Sequence, residues 1–224
     1  MSIKDKYHVQ PIKKYECKEW LLEKHYAKRV PSISYAFGLY DGLLLIGICT
    51  YGQPPRVMND GESIFTDYRV QTVELNRLCV AENLEKNVLS FFVGQTLSLL
   101  PRPLCVVSYA DTSRGHQGYI YQATNWVYTG LNQIHEKEWF DESGKEIHQR
   151  TLSDMGLTSA ELKLQAGMSC GDYTKKHRYF QFLGDKREVR QMRSRLIYPI
   201  EPYPKGDNRR YDASYEPTVQ TKLF

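Results

Sequence analysis

At 224 residues the chain is long enough to bury a substantial core, as one large domain or one domain with an elaborated tail. A hydrophobic share of 41% and a net charge of +4 are ordinary for a soluble protein, and no run approaches the ~18 apolar residues that a membrane span needs. The opening MSIKDKYHVQ holds no apolar secretion segment, so the expectation is a cytoplasmic protein with no membrane partner.

The five cysteines (Cys17, Cys49, Cys79, Cys105, Cys170) are odd in number, scattered and without a C-x-x-C pair. That spacing excludes a disulfide framework and a zinc ribbon, and fits reduced thiols buried in strands.

In chain order, residues 1–15 read as a polar lead-in with an edge strand near Tyr7-His8-Val9. Cys17 to His25 is a short amphipathic helix with Trp20 and Leu21 on one side, and Pro31 forbids its continuation. Ser32 to Tyr40 and Leu43 to Tyr51 form a hairpin around Asp41-Gly42, a two-residue turn signal. Residues 56–70 are an irregular loop of a length usually kept for function. Gln71 to Val80 is a strand and Ala81 to Lys86 a turn. Asn83 or Asn87 then caps a helix over Val88 to Leu100, which Pro101 and Pro103 end.

Leu104 to Asp111 is the run around which the rest is organised. Its apolar start reads as a buried central strand, and it delivers polar groups at its C-terminal end, where open α/β sheets place ligands. A turn at Thr112 to Gly115, a helix over His116 to Thr124, a left-handed Asn125 and a strand from Trp126 follow.

Beyond Gly130 the expectation is a hairpin around Ser143-Gly144, a helix capped by Thr158 or Ser159, a strand over Lys176 to Leu183 and a basic helix from Asp185 to Leu196. The Pro- and Tyr-rich tail reads as extended or disordered. The divisions are 1–130 as a catalytic core, 131–197 as a part continuing the sheet, and 198–224 as the tail.

Charge is unevenly placed. Eight basic residues (Lys175, Lys176, Arg178, Lys186, Arg187, Arg190, Arg193, Arg195) face two acids (Asp185, Glu188) in one segment, and the chain holds seventeen tyrosines. That composition suits phosphate contacts and base stacking, or equally a solvated amphipathic helix.

The element order resembles the GNAT acyltransferases, which implies an α/β (α+β) fold: a mixed, mostly antiparallel sheet flanked by helices, here with a C-terminal extension. VELNRLCV (Val73 to Val80) is similar to the strand of that fold which splays from its neighbour and binds the pantetheine of an acyl-CoA. GYIYQATNWVY (Gly118 to Tyr128) is similar to its last helix and strand, with Tyr121 at the tyrosine that often protonates a departing thiolate. Glu74 stands where a carboxylate base commonly lies. The family's glycine-rich phosphate loop is replaced by AENLEKNVLS, whose helix-start amides could still hold a pyrophosphate. By this resemblance Leu78, Val80, Lys86, Asn87, Val88 and Asn125 are the expected cofactor contacts.

HY followed by VPSISYAFGLYD, then ELNRLCV, then SYAD…GH.G.IY.A.NW.Y.G, resembles more closely the bacteriophage Mom family, over about Trp20 to Gly130. The resemblance implies a phage enzyme in the cytoplasm of a bacterial host. It would convert the exocyclic amine of adenine in double-stranded DNA to a carbamoylmethyl amine and so protect the phage genome from restriction. Acetyl-CoA is the implied donor, iron is implicated, and the new carbon–nitrogen bond goes to a methyl carbon.

Adenine's amine is nearly non-basic, so the barrier lies in activating that carbon, and a metal would serve. The candidate catalytic set joins Tyr121 and Glu74, which the resemblance implies, to Asp111, His116, His25, Tyr26 and Ser108, polar groups that could converge with them. Asp111, His116 and His25 are the candidate iron ligands, an oxygen and nitrogen set that suits that metal. Arg56, Arg69, Arg77, Arg114, Lys175, Lys176, Arg178, Lys186, Arg187 and Arg190 are the expected DNA contacts. A homodimer is left open. The rival readings are a generic GNAT N-acetyltransferase acting on a small amine, protein or tRNA, and a catalytically silent GNAT-fold DNA-binding protein.

Overall fold

The computed structural model describes residues 2–25, 27–55, 58, 64–132, 136–147 and 149–206. Tyr26, Arg56 and the tail beyond residue 206 lie outside the described residues.

A short helix α1 (Ile3–Lys6) leads into β1 (Tyr7–Pro11), a 3-10 turn (Lys14–Cys17) and a π-helical turn (Trp20–Lys24). The strands β2 (Tyr35–Asp41) and β3 (Leu44–Gly52) flank Gly42, whose φ of +58° is the left-handed backbone the tight turn requires. Next come β4 (Thr72–Val80), α2 (Val88–Leu99), β5 (Leu104–Asp111), a 3-10 turn (Thr112–Arg114), α3 (Tyr119–Ala123) and β6 (Val127–Leu131). The chain continues with β7 (Glu136–Phe140), α4 (Gln149–Asp154), α5 (Ala160–Gln165), β8 (Ser169–Thr174), β9 (Lys176–Leu183) and α6 (Lys186–Arg195).

Seven strands form one sheet in the order β1-β2-β3-β4-β5-β9-β6, and β7 with β8 form a separate two-stranded ribbon. All neighbours in the large sheet are antiparallel except β4 and β5. The expected mixed, mostly antiparallel sheet flanked by helices is what the chain builds. β9 lies between β5 and β6, so a strand from the basic segment runs beside the central strand.

The sheet is covered on both faces. On one, α2 buries Val88, Phe92, Val93, Thr96 and Leu97, a spacing that returns to the same side of a 3.6-residue helix. These side chains pack with Leu104, Val106, Tyr121, Trp126, Tyr128 and Tyr179. On the other face, Met192 of α6 packs with Cys105, Val107, Phe180 and Phe182, beside Ile64 and Phe65, and Trp20 and Leu21 pack over Ile48 and Cys79. Burying Leu104 to Val107 on both sides explains why that run is apolar without alternation.

Three local expectations need correcting. The helix expected from His116 begins only at Tyr119, because Gly118 has a φ of +72° and cannot be helical. Asn87 stands at the start of α2, yet its side chain makes no capping bond and its backbone is left-handed at φ +71°. The chain does turn back around Ser143-Gly144, with the Phe140–Glu146 bridge and bonds from the Asp141 amide to the Lys145 carbonyl and from the Ile147 amide to the Trp139 carbonyl, but the ladder partner of Glu136–Phe140 is Ser169–Thr174. Other expectations hold. Ser159 accepts from the Leu162 amide to cap α5, and Asn125 ends α3 at φ +60°.

The start of α6 is closed by a reciprocal cap. Asp185 accepts from the amides of Arg187 (2.7 Å) and Glu188 (2.8 Å), while the Glu188 carboxylate accepts from the Asp185 amide (2.7 Å). This reciprocal box satisfies amide donors that a bare helix end would leave open.

Candidate active site

The site arises where the parallel pairing of β4 with β5 stops. β4 and β5 are joined only over Thr72–Cys105, Val73–Val106 and Glu74–Val107, after which the strands part. Ser108 bridges the fork at its apex, its Oγ lying 2.8 Å from the Leu75 carbonyl oxygen and 2.7 Å from the Tyr121 phenol oxygen. A carbonyl can only accept, so Ser108 spends its one hydroxyl hydrogen there and the Tyr121 phenol donates to Ser108. The Tyr121 ring is wedged between Trp126 and Tyr179, with centroids 5.0 and 5.1 Å away.

Strand alternation gives the two sides of the fork different chemistry. Ser108 and Tyr121 belong to the α2–α3 face. Glu74, Tyr109 and Asp111 project to the other face, where Tyr109 pairs across the ladder with Arg178 and Asp111 with Lys176. A cleft of about 1060 Å³ opens through the fork and is lined from both sides. Its walls include β4 from Glu74 onward, the turn into α2, the end of β5, α3, and parts of β7, β9 and the segment 198–201.

The catalytic candidates fall as follows. Glu74, Asp111, His116, Tyr121 and His25 all line this cleft, and Ser108 sits buried at its apex. Asp111 also holds the turn that follows, its Oδ1 accepting from the Ser113 amide (3.0 Å) and hydroxyl (2.8 Å). The His116 amide donates to the Asp111 carbonyl at 3.1 Å. Burial pulls the His116 imidazole below its ordinary value, Asp111 opposes that shift and Arg114 adds to it. The neutral ring is thus the favoured form near neutral pH.

The metal set is not assembled. Among the described residues no three His, Cys, Asp or Glu side chains converge as a metal site. His25 is at the end of the π-helical turn with its Nδ1 accepting from the Ala27 amide at 3.1 Å, and Asp111 is engaged in its turn. The described residues do not fit an iron centre at Asp111, His116 and His25, and no step is drawn through one.

An acyl-CoA fits better. Beyond Glu74 the β4 edge has no ladder partner on the β5 side, leaving a backbone strip that an amide-bearing arm can extend. Asn83 and Asn87 take left-handed conformations (φ +57° and +71°), the backbone a glycine-rich phosphate loop would use, and deliver the chain to the amide-rich start of α2. Leu78, Val80, Lys86 and Asn87 line the cleft there. Two expected contacts do not: Val88 is fully buried in the core, and Asn125, exposed at the far end of α3, only ends that helix.

The basic residues divide into two kinds. Lys186, Arg187 and Arg190 are exposed on α6, opposite the side on which Val189 and Met192 pack. Arg69 is exposed beside the segment Phe65 to Tyr68, and Lys175 is half-buried. Arg114 bonds Glu146, tying the turn after β5 to the chain beyond β7. Arg77 and Lys176 line the cleft.

Arg178 corrects the expectation of a surface phosphate contact. It is 7% exposed, donates from Nε to Thr129 Oγ1 (2.9 Å) and from Nη2 to the Thr129 carbonyl (3.2 Å), and lies 3.6 Å from the Tyr198 ring centroid. Residue spacing held no signal for Thr129, Tyr198 or Glu201: strand packing sets Thr129 and Tyr109 beside Arg178, and the segment after α6 brings Tyr198 and Glu201 there.

The model of the Mom protein family matches residues 6–205 of this chain. Among curated proteins, the methylcarbamoylase mom of Escherichia phage Mu is 28% identical over 192 residues, 81% of this chain and 77% of that protein. Among solved structures, yncA, a putative acetyltransferase of Salmonella typhimurium with acetyl-CoA, is 10% identical with a TM-score of 0.47, over 82% of this chain and 97% of that one. A ribosomal-protein-S5-alanine acetyltransferase of Vibrio fischeri is 10% identical with a TM-score of 0.46, over 80% and 94%.

Proposed function

This chain belongs to the Mom protein family, and from that premise we propose that it is a phage DNA-modification transferase working inside the bacterial host. Its reaction converts the exocyclic amine of adenine in DNA to a carbamoylmethyl amine and shields the phage genome from restriction. The observation that carries this reading is the fork between β4 and β5, a cleft open to both faces of the sheet at the point where Ser108 and Tyr121 meet.

Acetyl-CoA, when bound, would supply the two carbons of the new group; a two-electron oxidant for the methyl carbon and an ammonia-level nitrogen donor that displaces the CoA thiol enter as co-substrates. The chain's own groups would seat its arm along the bare β4 edge near Leu78 and Val80, and its phosphates at Lys86, Asn87 and the start of α2. Glu74, which lines the cleft on the opposite face, would take a proton from the acceptor. Tyr121 is held by Ser108 with its proton directed to the fork. DNA would be gripped by the exposed cations of α6, Lys186, Arg187 and Arg190, whose charge attracts phosphate without reading sequence.

The test is mass spectrometry of nucleosides from plasmid DNA of bacteria expressing the chain, with Asp111→Asn beside it. A heavier deoxyadenosine carrying a carbamoylmethyl group supports the reading, and its loss in the variant assigns Asp111 to the site. Unmodified DNA from well-expressed, folded protein rejects the adenine reaction and directs attention to another acceptor.

A further inference from the structure

On the face of the fork opposite Tyr121, one row of side chains crosses three strands: Tyr109 on β5, Arg178 on β9 and Thr129 on β6. Tyr198 closes over Arg178 from the segment after α6. Arg178 is a buried cation with only part of its bonding capacity used. Its bonds to Thr129 employ Nε and Nη2, and among the described residues Nη1 has no partner. Close by is Glu201, whose carboxylate lies directly over Gly130; a Cβ built there would be 2.5 Å from Oε1. Gly130 also has a φ of +77°, so two independent demands keep a side chain out of this spot.

The Glu201 carboxylate makes no side-chain hydrogen bond and no ion pair within 4.0 Å among the described residues, and Arg178 likewise forms no salt bridge. The result is a donor group and an acceptor group, both unspent, in a cleft walled by two tyrosines. Arg178, 7% exposed, keeps part of its donor capacity at the cleft wall, and the exposed Glu201 keeps its acceptors there for a ligand. A flat aromatic ring with a nitrogen acceptor beside an amine donor would satisfy both groups and gain area against the tyrosine rings.

We propose that Tyr109, Arg178, Tyr198 and Glu201 form a nucleobase subsite that takes an unstacked adenine. Arg178 Nη1 donates to a ring nitrogen and Glu201 accepts from the exocyclic amine. The subsite deepens the adenine reading given above, since it names the groups that would hold the acceptor base. A 6-oxo purine turns a carbonyl oxygen toward the Glu201 carboxylate and is rejected by that repulsion. Duplex adenine reaches such a pocket only by leaving the stack, at a cost of a few kcal/mol.

The experiment measures affinity for a fluorescent single-stranded heptamer of thymidines carrying one central deoxyadenosine or one central deoxyinosine. The unmodified chain is expected to prefer deoxyadenosine by roughly tenfold or more, the discrimination a good hydrogen-bonded pair provides. Glu201→Gln, an exposed position whose change leaves the fold alone, is expected to bring that ratio close to one. Arg178→Met is expected to weaken the deoxyadenosine oligonucleotide, with Arg178→Lys, which keeps the charge, intermediate.

Equal affinity for the two oligonucleotides in the unmodified chain, or a ratio unchanged in Glu201→Gln, overturns the subsite. Nucleoside analysis of plasmid DNA separates the two readings. Modified adenine with no Glu201-dependent preference leaves the enzyme assignment and removes the subsite. A Glu201-dependent preference with unmodified DNA leaves the subsite and removes the reaction.

Discussion

Ser108 Oγ and the Tyr121 phenol oxygen, 2.7 Å apart and both buried, meet at the apex of the fork where β4 leaves β5. Ser108 also holds the Leu75 carbonyl, so a single hydroxyl ties the parting strand, the central strand and α3 together. The pair therefore has a structural part and a chemical part that two substitutions can separate.

Ser108→Ala removes the hydroxyl that holds the Leu75 carbonyl and the Tyr121 phenol, at a cost of about 1–3 kcal/mol for a buried carbonyl left without its donor. Tyr121→Phe leaves the Ser108–Leu75 bond and should cost less, roughly 1 kcal/mol. Denaturant melts that rank the two in this order, together with loss of DNA modification in the milder Tyr121→Phe, would assign the phenol a chemical role. Full modification by Tyr121→Phe would reduce it to packing.

Gly118→Ala should disrupt the site without touching any reacting group. The backbone there is left-handed, and a methyl group would lie 2.4 Å from the Tyr179 ring, whose hydroxyl donates to the Gln117 carbonyl just before the glycine. Strain at such a residue costs on the order of 1–3 kcal/mol before the clash is added. A melting temperature within 1 °C of the parent, the shift for about 0.25–0.5 kcal/mol in a chain of this size, would contradict this account.

Stability should fall as the solution becomes mildly acid. Burial lowers the pKa of both His116 and His177 from 6.5, and His177 is held at Nδ1 by the Tyr128 hydroxyl at 2.7 Å. In both, the folded state resists the proton that the unfolded chain accepts. Their contribution is intact above about pH 6.5 and is lost as pH falls through the folded values. Urea midpoints measured between pH 7.5 and 5 should decline, and His177→Gln should flatten that decline. A midpoint that rises toward pH 5 would show the sign to be wrong.

Thiol chemistry should single out one cysteine. Burial pushes the thiols of Cys17, Cys49 and Cys79 up to about 12 and raises that of Cys105 as well. Cys170 is exposed on β8. Titration of the native protein with an aromatic disulfide at pH 8 should release one equivalent promptly, and the remaining four only after unfolding. Cys170→Ser should abolish the prompt phase.

The exposed cations of α6 should set the salt dependence of DNA binding. Each of Lys186→Ala, Arg187→Ala and Arg190→Ala that removes a phosphate contact should reduce the slope of log affinity against log salt by about 1. Affinity for unrelated sequences should fall alike. Slopes unchanged in the triple variant would move the DNA to another surface.

Much of this molecule was legible in the sequence, for reasons that are local. A run apolar on both faces, Leu104 to Val107, has to be a central strand; the Asp41-Gly42 turn forces a hairpin; an apolar stripe stopped by Pro101 is a helix that packs and ends. The tyrosine at 121 and the carboxylate at 74 were named from the resemblance to known families, the serine at 108 and the carboxylate at 111 from the run that ends at Asp111, and the fold brings them to one fork and its cleft. What only the tertiary structure decided is register and burial. Spacing along the chain does not say that β9 slips between β5 and β6, so Arg178 read as one more surface cation when it is buried in the cleft wall against the Tyr198 ring. Nor does it say that His25 and Asp111 spend their acceptors on backbone amides and turns, which leaves the expected metal set unassembled. Pairing across a sheet depends on which strands find each other over distances of fifty residues or more, and that choice is made by the packing of the whole core.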